Sequence, residues 1–359
     1  MKRIVQACLI AVQVAVFSIA TAQAAQFDER RVTLIVPYAE GGGGSVYTRF
    51  FAPYFEKHLP GNPTIIVRNI PGGSSVKAFN QFMHNPDKDG SEVINSGTST
   101  FFKYVLRDKS VQYDFKDMVP IISSPLGALV YTRKELGAGT GEVEKLKGKK
   151  LVIGARSPTS GDINILLAFH LLGLDVKPIF GLSTGKRRLA FQRGEATLCQ
   201  DNSAAYSKHV EPLIKEGVAV PLFTLGFMKP DGSIARDPML PDIPTFMEVY
   251  KRMHGKELSG PALNAWRALF TVRVMAAKMF FLPKVTSPEI IETYHQTMAK
   301  IMKDPDFIAK REKVIGPYDQ SLGKEALAIM RTATELDDEA RAWLLKWLND
   351  NYSTNLEKG

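Results

Sequence analysis

The sequence predicts an α/β protein whose strands are largely parallel and are joined by crossover helices. Three short β-branched runs near the start of the chain each end in a glycine-containing turn, and each turn leads into a helical pattern. The same order of strand, turn and helix returns after residue 150. Such a rhythm is typical of crossover connections between parallel strands.

The first half of the chain supplies three of these units. Strands are expected at 32–36, 64–67 and 93–95. After the first strand, Pro37 and a run of four glycines end the extended segment, and a helix is expected from Ser45. Pro53 should kink or restart that helix, because proline cannot donate the backbone hydrogen bond of a helix interior.

The second half repeats the rhythm and then becomes mostly helical. Strands are expected at 151–153, 177–180 and 218–224, with Pro221 placing the last one at a sheet edge. A helix is expected at 163–172, and the segment 226–244, rich in Pro, Gly and Asp, is expected to be surface loop. Near the end, apolar residues at helical spacing indicate core packing. These residues are Trp343, Leu344, Trp347 and Leu348.

The composition excludes several classes of protein. The chain has 359 residues, of which 45% are apolar and 23% charged, so it is globular and not intrinsically disordered. Lys and Arg number 46 against 37 Asp and Glu, a net charge of +9 without any basic block, so no nucleic-acid partner is expected. A mean hydropathy of −0.09 and a single apolar segment exclude a polytopic membrane protein.

The first 24 residues read as an export signal. Lys2 and Arg3 precede an apolar stretch that ends in Thr21-Ala22-Gln23-Ala24, a small-x-small cleavage pattern, so cleavage is expected after Ala24. The alternative is a membrane anchor, but the stretch is short for a bilayer span and two glutamines interrupt it. Cleavage removes Cys8 and leaves Cys199 alone, so the mature chain forms no intramolecular disulfide.

The sequence contains one serine hydrolase pattern but no metal-binding histidine pattern. Gly181-Leu182-Ser183-Thr184-Gly185 matches the GxSxG nucleophile pattern, so a secreted serine hydrolase using Ser183 is the alternative function. Its triad would be completed by histidine and aspartate from candidates further along the chain. These candidates are His254 or His295, and Asp237 or Asp242. The six histidines form no HExxH or other clustered spacing, so neither a metal nor a cofactor is expected.

The glycine run 41–44 fits a different role. It matches neither the GxGxxG nor the GxxxxGK[ST] nucleotide pattern. What remains is a helix start with unpaired N–H groups beside residues that have no side chain, an arrangement that suits an anion. Four successive glycines also cost more chain entropy than a simple tight turn requires.

Residues 27 to about 320 resemble the periplasmic solute-binding proteins of the tripartite tricarboxylate transporter family, the Bug-type receptors. The resemblance rests on the order and spacing of several short sequence segments, because no single motif is specific. The matching segments are Val32–Ala39 with the following glycines and Arg49, then Arg68–Gly73, Asp87–Gly90, Gly97–Ser99, Tyr113–Asp117, Asp201-Asn202 and Leu240–Thr245. Ser45 departs from the pattern, since the family often carries Asp there.

The resemblance implies two α/β domains with a ligand cleft between them, the Venus-flytrap architecture of periplasmic-binding proteins. Domain one would comprise 26–126 and 225–359, and domain two 127–224, after a signal peptide at 1–24. It further implies a monomeric periplasmic protein, not an enzyme, that captures a small organic anion. The ligand would be a mono- or dicarboxylate, possibly aromatic, delivered to integral-membrane permease subunits. An extracellular partner of a two-component sensor would use the same cleft.

The resemblance places the binding residues in the loops that follow the strands. There, main-chain N–H groups and small hydroxyls would hold the acid groups of the ligand. Expected ligand contacts are Tyr38, Gly42, Gly43, Gly44, Ser45, Tyr47, Gly73, Ser74, Thr98, Ser99, Arg156, Ser157, Thr159, Ser160, Ser183 and Asp201. Arg156 either reaches a second acid group or faces solvent, and Tyr47 or Tyr206 could stack on an aromatic acid. Surface positions are expected for Lys186, Arg187 and Arg273.

Overall fold

The structure is a computed structural model that describes residue 27, residues 30–229, residues 231–354 and residue 356. The expected signal peptide, 1–24, lies outside the described residues. Among the helices of the described part, none is long and apolar enough to cross a membrane.

The larger lobe is built on a six-stranded mixed sheet with the strand order β13-β4-β12-β3-β1-β2. Its strands are β1 (Arg31–Val36), β2 (Thr64–Asn69), β3 (Glu92–Gly97), β4 (Met118–Ser124), β12 (Lys278–Pro283) and β13 (Ser321–Leu322). β1 runs parallel to both β2 and β3, as the rhythm predicted. β12 runs antiparallel to β3 and β4, so the sheet is not wholly parallel.

The smaller lobe is built on a five-stranded sheet with the order β7-β6-β8-β5-β9. Its strands are β5 (Ala128–Arg133), β6 (Leu151–Gly154), β7 (Val176–Ile179), β8 (Leu198–Asn202) and β9 (Ala219–Thr224). β6 is parallel to β7 and β8, whereas β5 is antiparallel to β8 and β9. The chain thus forms two α/β lobes, and the boundaries given above for the two domains stay a prediction.

Twelve α-helices of the described chain surround the two sheets. They are α1 (Gly43–His58), α2 (Val76–His84), α3 (Thr98–Val105), α4 (Ile163–Leu171), α5 (Thr184–Gln192), α6 (Glu211–Lys215), α7 (Phe246–His254), α8 (Gly260–Phe270), α9 (Pro288–Ile301), α10 (Pro305–Ile315), α11 (Gly323–Thr334) and α12 (Asp338–Tyr352). A π-helical turn, Thr271–Met275, continues α8 toward β12.

The predicted strands and most helices are confirmed, and α1 differs from the prediction in two ways. β9 is an edge strand, and its pairing with β5 shifts register beside Pro221, as expected for a proline in a sheet. α1 begins at Gly43, before Ser45, and continues through Pro53 without restarting. Buried Phe51, Tyr54 and Phe55 hold both sides of the proline against the core, which offsets the one missing backbone bond.

The C-terminal stripe and the proline-rich segment also differ in part from expectation. Leu344, Trp347 and Leu348 are buried, which confirms core packing, and α12 lies against α8. The segment 226–244 is not all surface loop, because it contains a two-stranded hairpin of β10 (Phe227–Met228) and β11 (Ile234–Ala235). Its Asp237 is fully buried and accepts hydrogen bonds from Ser203 and Tyr318.

Candidate functional site

The two sheets bring the starts of four helices to the junction between the lobes. α1 and α3 follow the carboxyl ends of β1 and β3, and α4 and α5 follow those of β6 and β7. The lobes touch where Gly161, before α4, meets Thr98: a Cβ on Gly161 would lie 3.2 Å from the Thr98 Oγ1 atom. The predicted loops of both lobes therefore face one another across this junction.

These four helices share one feature at their starts, which α2 and α8 also have. None of α1, α3, α4 and α5 has an acidic residue in its first turn, and none is capped by a hydrogen bond from the side chain of its N-cap residue. By contrast, side chains cap α7, α9, α10 and α12, each of which also has an acidic first turn. The starts of α1, α3 and α5 have no acidic residue at the N-cap or in the first turn and favour an anion at the junction, whereas the N-cap residue of α4 is the acidic Asp162.

Tyr38 closes over the start of α3. Its hydroxyl lies 3.2 Å from the Ser99 Oγ and 3.3 Å from the Thr100 Oγ1. Two glycines admit the ring: a Cβ at Gly44 would lie 2.6 Å from Tyr38 Cδ2, and one at Gly97 would lie 2.6 Å from its hydroxyl. Gly44 is buried, so its role is to seat Tyr38, whereas the predicted contacts Gly42 and Gly43 are at least partly exposed.

The loop before α2 carries backbone strain next to this group. Ser74 and Ser75 have φ angles of +55° and +88°, in the left-handed region that non-glycine residues rarely adopt. The buried Ser75 hydroxyl lies 2.8 Å from Thr100 Oγ1, which ties this loop to the Tyr38 group. Strained backbone of this kind is often found at binding sites, and here it occurs in Gly73-Ser74, two of the predicted ligand contacts.

On the smaller lobe, Asp162 organises the facing loop. Its carboxylate accepts a hydrogen bond from the Arg187 Nη1 at 2.6 Å and another from the Arg156 backbone N–H at 2.6 Å. It also accepts from the Ser160 hydroxyl at 3.1 Å and from the Gln200 amide nitrogen at 2.5 Å. Asp162 was not among the predicted residues, although it fixes the loop that contains four of them.

Other predicted residues of this lobe have defined surroundings. Ser160 donates to the Ser157 carbonyl at 2.7 Å, and both side chains, like Thr159, are only partly buried. Asp201 is buried and accepts hydrogen bonds from Arg188 and, at 3.0 Å, from Tyr131. Its carboxylate therefore holds the Arg188 guanidinium in place.

Sequence reasoning missed two cations at the junction, Arg273 and Lys278. Arg273 lies in the π-helical turn, is 7% exposed, and donates to the Asn202 side-chain carbonyl at 2.7 Å. Lys278 begins β12; its Nζ donates to the Ala277 carbonyl at 3.2 Å and lies 6.0 Å from the centre of the Tyr38 ring. Within the described chain, neither has a carboxylate oxygen within the 4.0 Å of an ion pair.

The expectation that Arg187 and Arg273 lie at the surface is therefore wrong. The side chain of Arg187 is 11% exposed and paired with Asp162, and Arg273 is buried. A signal was present in the sequence, because Arg273 and Lys278 interrupt the otherwise apolar segment 271–281. Charges inside an apolar run are seldom buried without a partner. Lys186 is exposed, as expected.

Burial alters the acid–base properties of both cations. Loss of hydration lowers the pKa of Arg273 to about 10, with the nearby charge of Arg187 acting in the same direction. Burial also lowers the pKa of Lys278 to about 8, and the charge of Arg273 contributes. The more distant carboxylates of Asp162 and Asp201 offset the desolvation of Arg273 only in part, and an anion bound between the two cations would offset more of it.

This arrangement predicts that anion affinity falls as the pH rises through about 8, since Lys278 then loses its charge. In the unfolded chain lysine keeps its proton to about pH 10.4. The unfolded state therefore holds more protons between these values, and the stability of the ligand-free protein should rise with pH there. Calorimetric titrations between pH 6.5 and 9.5 test this. Affinity that is flat with pH, or a fall that persists in Lys278→Met, would contradict it.

Several predicted contacts lie elsewhere or remain unassigned. Tyr47 is 3% exposed, its hydroxyl lies 2.7 Å from the Ser124 Oγ, and its ring packs on Phe51, so its role as a ligand contact stays a prediction. Ser45 is buried, and its hydroxyl has no hydrogen-bond partner in the described structure. Arg156 is exposed at the loop facing Tyr38, and among the residues that the structure describes no hydrogen bond or ion pair holds its guanidinium.

The structure does not assemble the alternative serine triad. Ser183 has φ −68° and ψ 167°, ordinary extended backbone at the start of α5, unlike the strained turn of a nucleophile elbow. His254 is hydrogen-bonded to the Leu171 carbonyl, and His295 to the Pro120 carbonyl. Over the part of the chain that is described, no group of three or more metal-ligating side chains occurs.

Solved structures give clear matches to this fold, while neither models of known protein families nor curated protein sequences match the chain. A TctC solute-binding protein from Polaromonas superimposes with a TM-score of 0.64 and 20% identity, over 90% of this chain and all (100%) of the other. The chain has the fold of the TctC and Bug-type solute-binding proteins. The predicted two-lobed architecture is thereby confirmed.

Two further structures agree with this assignment of the fold. The periplasmic binding protein BugD matches with a TM-score of 0.60 and 17% identity, over 89% of this chain and 98% of BugD. MatC from Rhodopseudomonas palustris, solved with bound malate, matches with a TM-score of 0.58 and 19% identity, over 86% and 99% of the two chains.

Proposed function

We propose that this protein is an exported periplasmic receptor that captures a small organic anion between its two lobes and releases it unchanged. The ligand would be a mono- or dicarboxylate, and its destination a membrane permease of the tripartite tricarboxylate type. The observation that carries the proposal is a pair of cations at the lobe junction, the buried Arg273 and the partly buried Lys278, neither of which has a carboxylate partner within the described chain. MatC, which has the same fold, was solved with malate, and this supports a carboxylate.

The available groups suffice for useful affinity. A hydrogen bond to a charged group contributes about 1.5–3 kcal/mol net. A helix start adds roughly 0.3–1 kcal/mol. Three or four such bonds, with lobe closure, reach the roughly −8 kcal/mol of micromolar binding. No catalytic side chain is needed for this, and the uncapped start of α3 supplies N–H donors beside Lys278, because a Cβ on its N-cap residue Gly97 would lie 3.3 Å from the Lys278 Nζ.

A thermal-shift screen over mono-, di- and tricarboxylates tests the proposal. A ligand present at 100 times its Kd should stabilise the protein by roughly 2.7 kcal/mol. The methyl esters of the same acids are the matched control and should give no shift, because they lack the charge. The proposal fails if no carboxylate raises the melting temperature, or if mass analysis shows that the bound acid has been converted.

Arg156 provides a further prediction about ligand choice. Its exposed guanidinium, which has no ion-pair partner in the described part of the chain, would reach the second acid group of a diacid. Arg156→Ala should therefore weaken a diacid by about tenfold, as expected when a partly exposed charge-assisted bond of about 1.5 kcal/mol is lost. A monoacid of the same length should be nearly unaffected. Equal weakening of both acids in calorimetric titrations would exclude this role.

A further inference from the structure

We propose that a second site, a groove on the larger lobe, binds an acidic amphipathic segment of another protein. A cavity of about 1300 Å³ opens between α11, β4 and the segment that precedes α12. It contains none of the residues of the lobe junction. Its volume exceeds the roughly 300–1,000 Å³ of an ordinary small-molecule site, which favours a larger occupant.

The floor of this groove is apolar. It is formed by side chains from β4, α11 and the loop after α11. These residues are Met118, Val119, Pro120, Leu327, Met330 and Leu336. Met118 and Met330 are 2% and 4% exposed and pack in the core, so Val119 and Leu327 are the more accessible part of this floor. Such a floor requires apolar side chains from whatever binds there.

The rim of the groove carries an excess of positive charge. Six lysine and arginine side chains line it against three carboxylates. The cations are Arg107, Lys116, Lys284, Lys324, Arg331 and Arg341. Within the described residues, Lys116, Lys284, Lys324 and Arg331 have no carboxylate within ion-pair distance. Arg341 adds a buried Nε–H that has no hydrogen-bond partner. This charge calls for a negatively charged occupant.

The spacing of the cations distinguishes a protein segment from a small anion. Lys324 and Arg331 lie seven residues apart on α11, which places their backbone positions about 10 Å apart along the helix. A chain with two acidic residues and apolar residues between them can pair with each cation and also cover the apolar floor, whereas a single carboxylate that reached both side chains would leave the floor uncovered. The N-terminal segment 1–24 of this chain is excluded by charge, since it carries Lys2 and Arg3 and no acidic residue.

The occupant is not an added β-strand. Most of the outer edge of β4 is unpaired, because the short β13 covers only Ile122 and Ser123. However, Pro120 has no N–H to donate, and its carbonyl already faces the His295 Nε2 at 3.2 Å. The groove is therefore suited to a helix or an irregular segment that lies on the side chains.

A selection from a random library of displayed 15-residue peptides on the full mature protein tests this proposal. The selected peptides should be enriched in Asp and Glu together with Leu, Met or Phe. The double variant Lys324→Glu/Arg331→Glu should bind a synthetic selected peptide at least tenfold more weakly. The control Lys147→Glu/Lys177→Glu, at two exposed positions outside the groove, changes the net charge equally and should bind normally.

Three outcomes would overturn the inference. The first is a selection that yields no binder or no acidic enrichment, and the second is binding that the groove variant leaves intact while circular dichroism shows it folded. The third is displacement of the peptide by the carboxylate that binds best in the thermal-shift screen, which would place the peptide at the lobe junction. The screen itself is independent of the groove, so failure of one proposal leaves the other standing.

Discussion

Lys278→Met should remove most of the anion affinity and, at the same time, raise the melting temperature of the ligand-free protein. Lys278 brings a cation to the lobe junction without a carboxylate partner in the described chain. Its pKa is lowered to about 8, because desolvation disfavours the charged form of the amine. Lys278 is partly buried, so replacing it with an uncharged side chain removes a desolvation cost and should stabilise the ligand-free protein. Removing one member of a buried ligand–cation pair costs about 2–5 kcal/mol, so affinity should fall roughly 30-fold or more.

This prediction is specific because Lys278→Met should lower the affinity for the anion while it raises the stability of the ligand-free protein. Calorimetric titration with the best carboxylate gives the affinity, and thermal unfolding without ligand gives the stability. Lys177→Met, at an exposed position on β7, is the matched control and should change neither quantity appreciably. If Lys278→Met lowers stability and affinity together, or leaves affinity within about threefold of the wild type, Lys278 is a structural residue.

Asp162→Ala should destabilise the protein by about 3–5 kcal/mol, the range for breaking a buried ion pair from one side. Asp162 is 6% exposed and binds the Arg187 guanidinium at 2.6 Å, so its removal leaves that cation without a partner. The Gln200 amide and the Arg156 N–H lose their acceptor as well. Affinity should fall too, because the facing loop is no longer held.

Urea unfolding measures this loss directly. Asp350→Ala provides the matched control, because it removes a carboxylate from the exposed pair with Lys346 and should cost no more than about 1 kcal/mol. Asp162→Asn retains the shape of the side chain and one acceptor oxygen. Its loss of stability should therefore lie between those of Asp162→Ala and Asp350→Ala. If Asp162→Ala costs no more than Asp350→Ala, the carboxylate does not hold the loop.

The sequence predicts local features of this fold well because they depend on neighbouring residues. The β-branched run 32–36 and the following glycines are sufficient to place β1, the turn and the start of α1 to within two residues. The strain at Ser74 also falls where the glycine turn predicted a loop. Such features need only spacing and backbone preference.

The chemistry of the junction could not be predicted in the same way, since it depends on residues far apart in the chain. Asp162 meets Arg187 and Gln200, which lie 25 and 38 residues away. Tyr47 lies on α1 close to the predicted contacts Gly44 and Ser45, but its ring packs against Phe51 and Phe280 in the core. Whether a cation such as Arg273 is buried is decided by the tertiary packing around it.

A crystal structure with the carboxylate that stabilises the protein most would test the central proposal most directly. It should place one carboxylate oxygen of the ligand within about 3 Å of the Lys278 Nζ, the distance of a charge-assisted hydrogen bond, with Arg273 in contact. Density for an intact acid at that point is the expected result. An acid bound away from both cations, with the lobe junction empty, would contradict it.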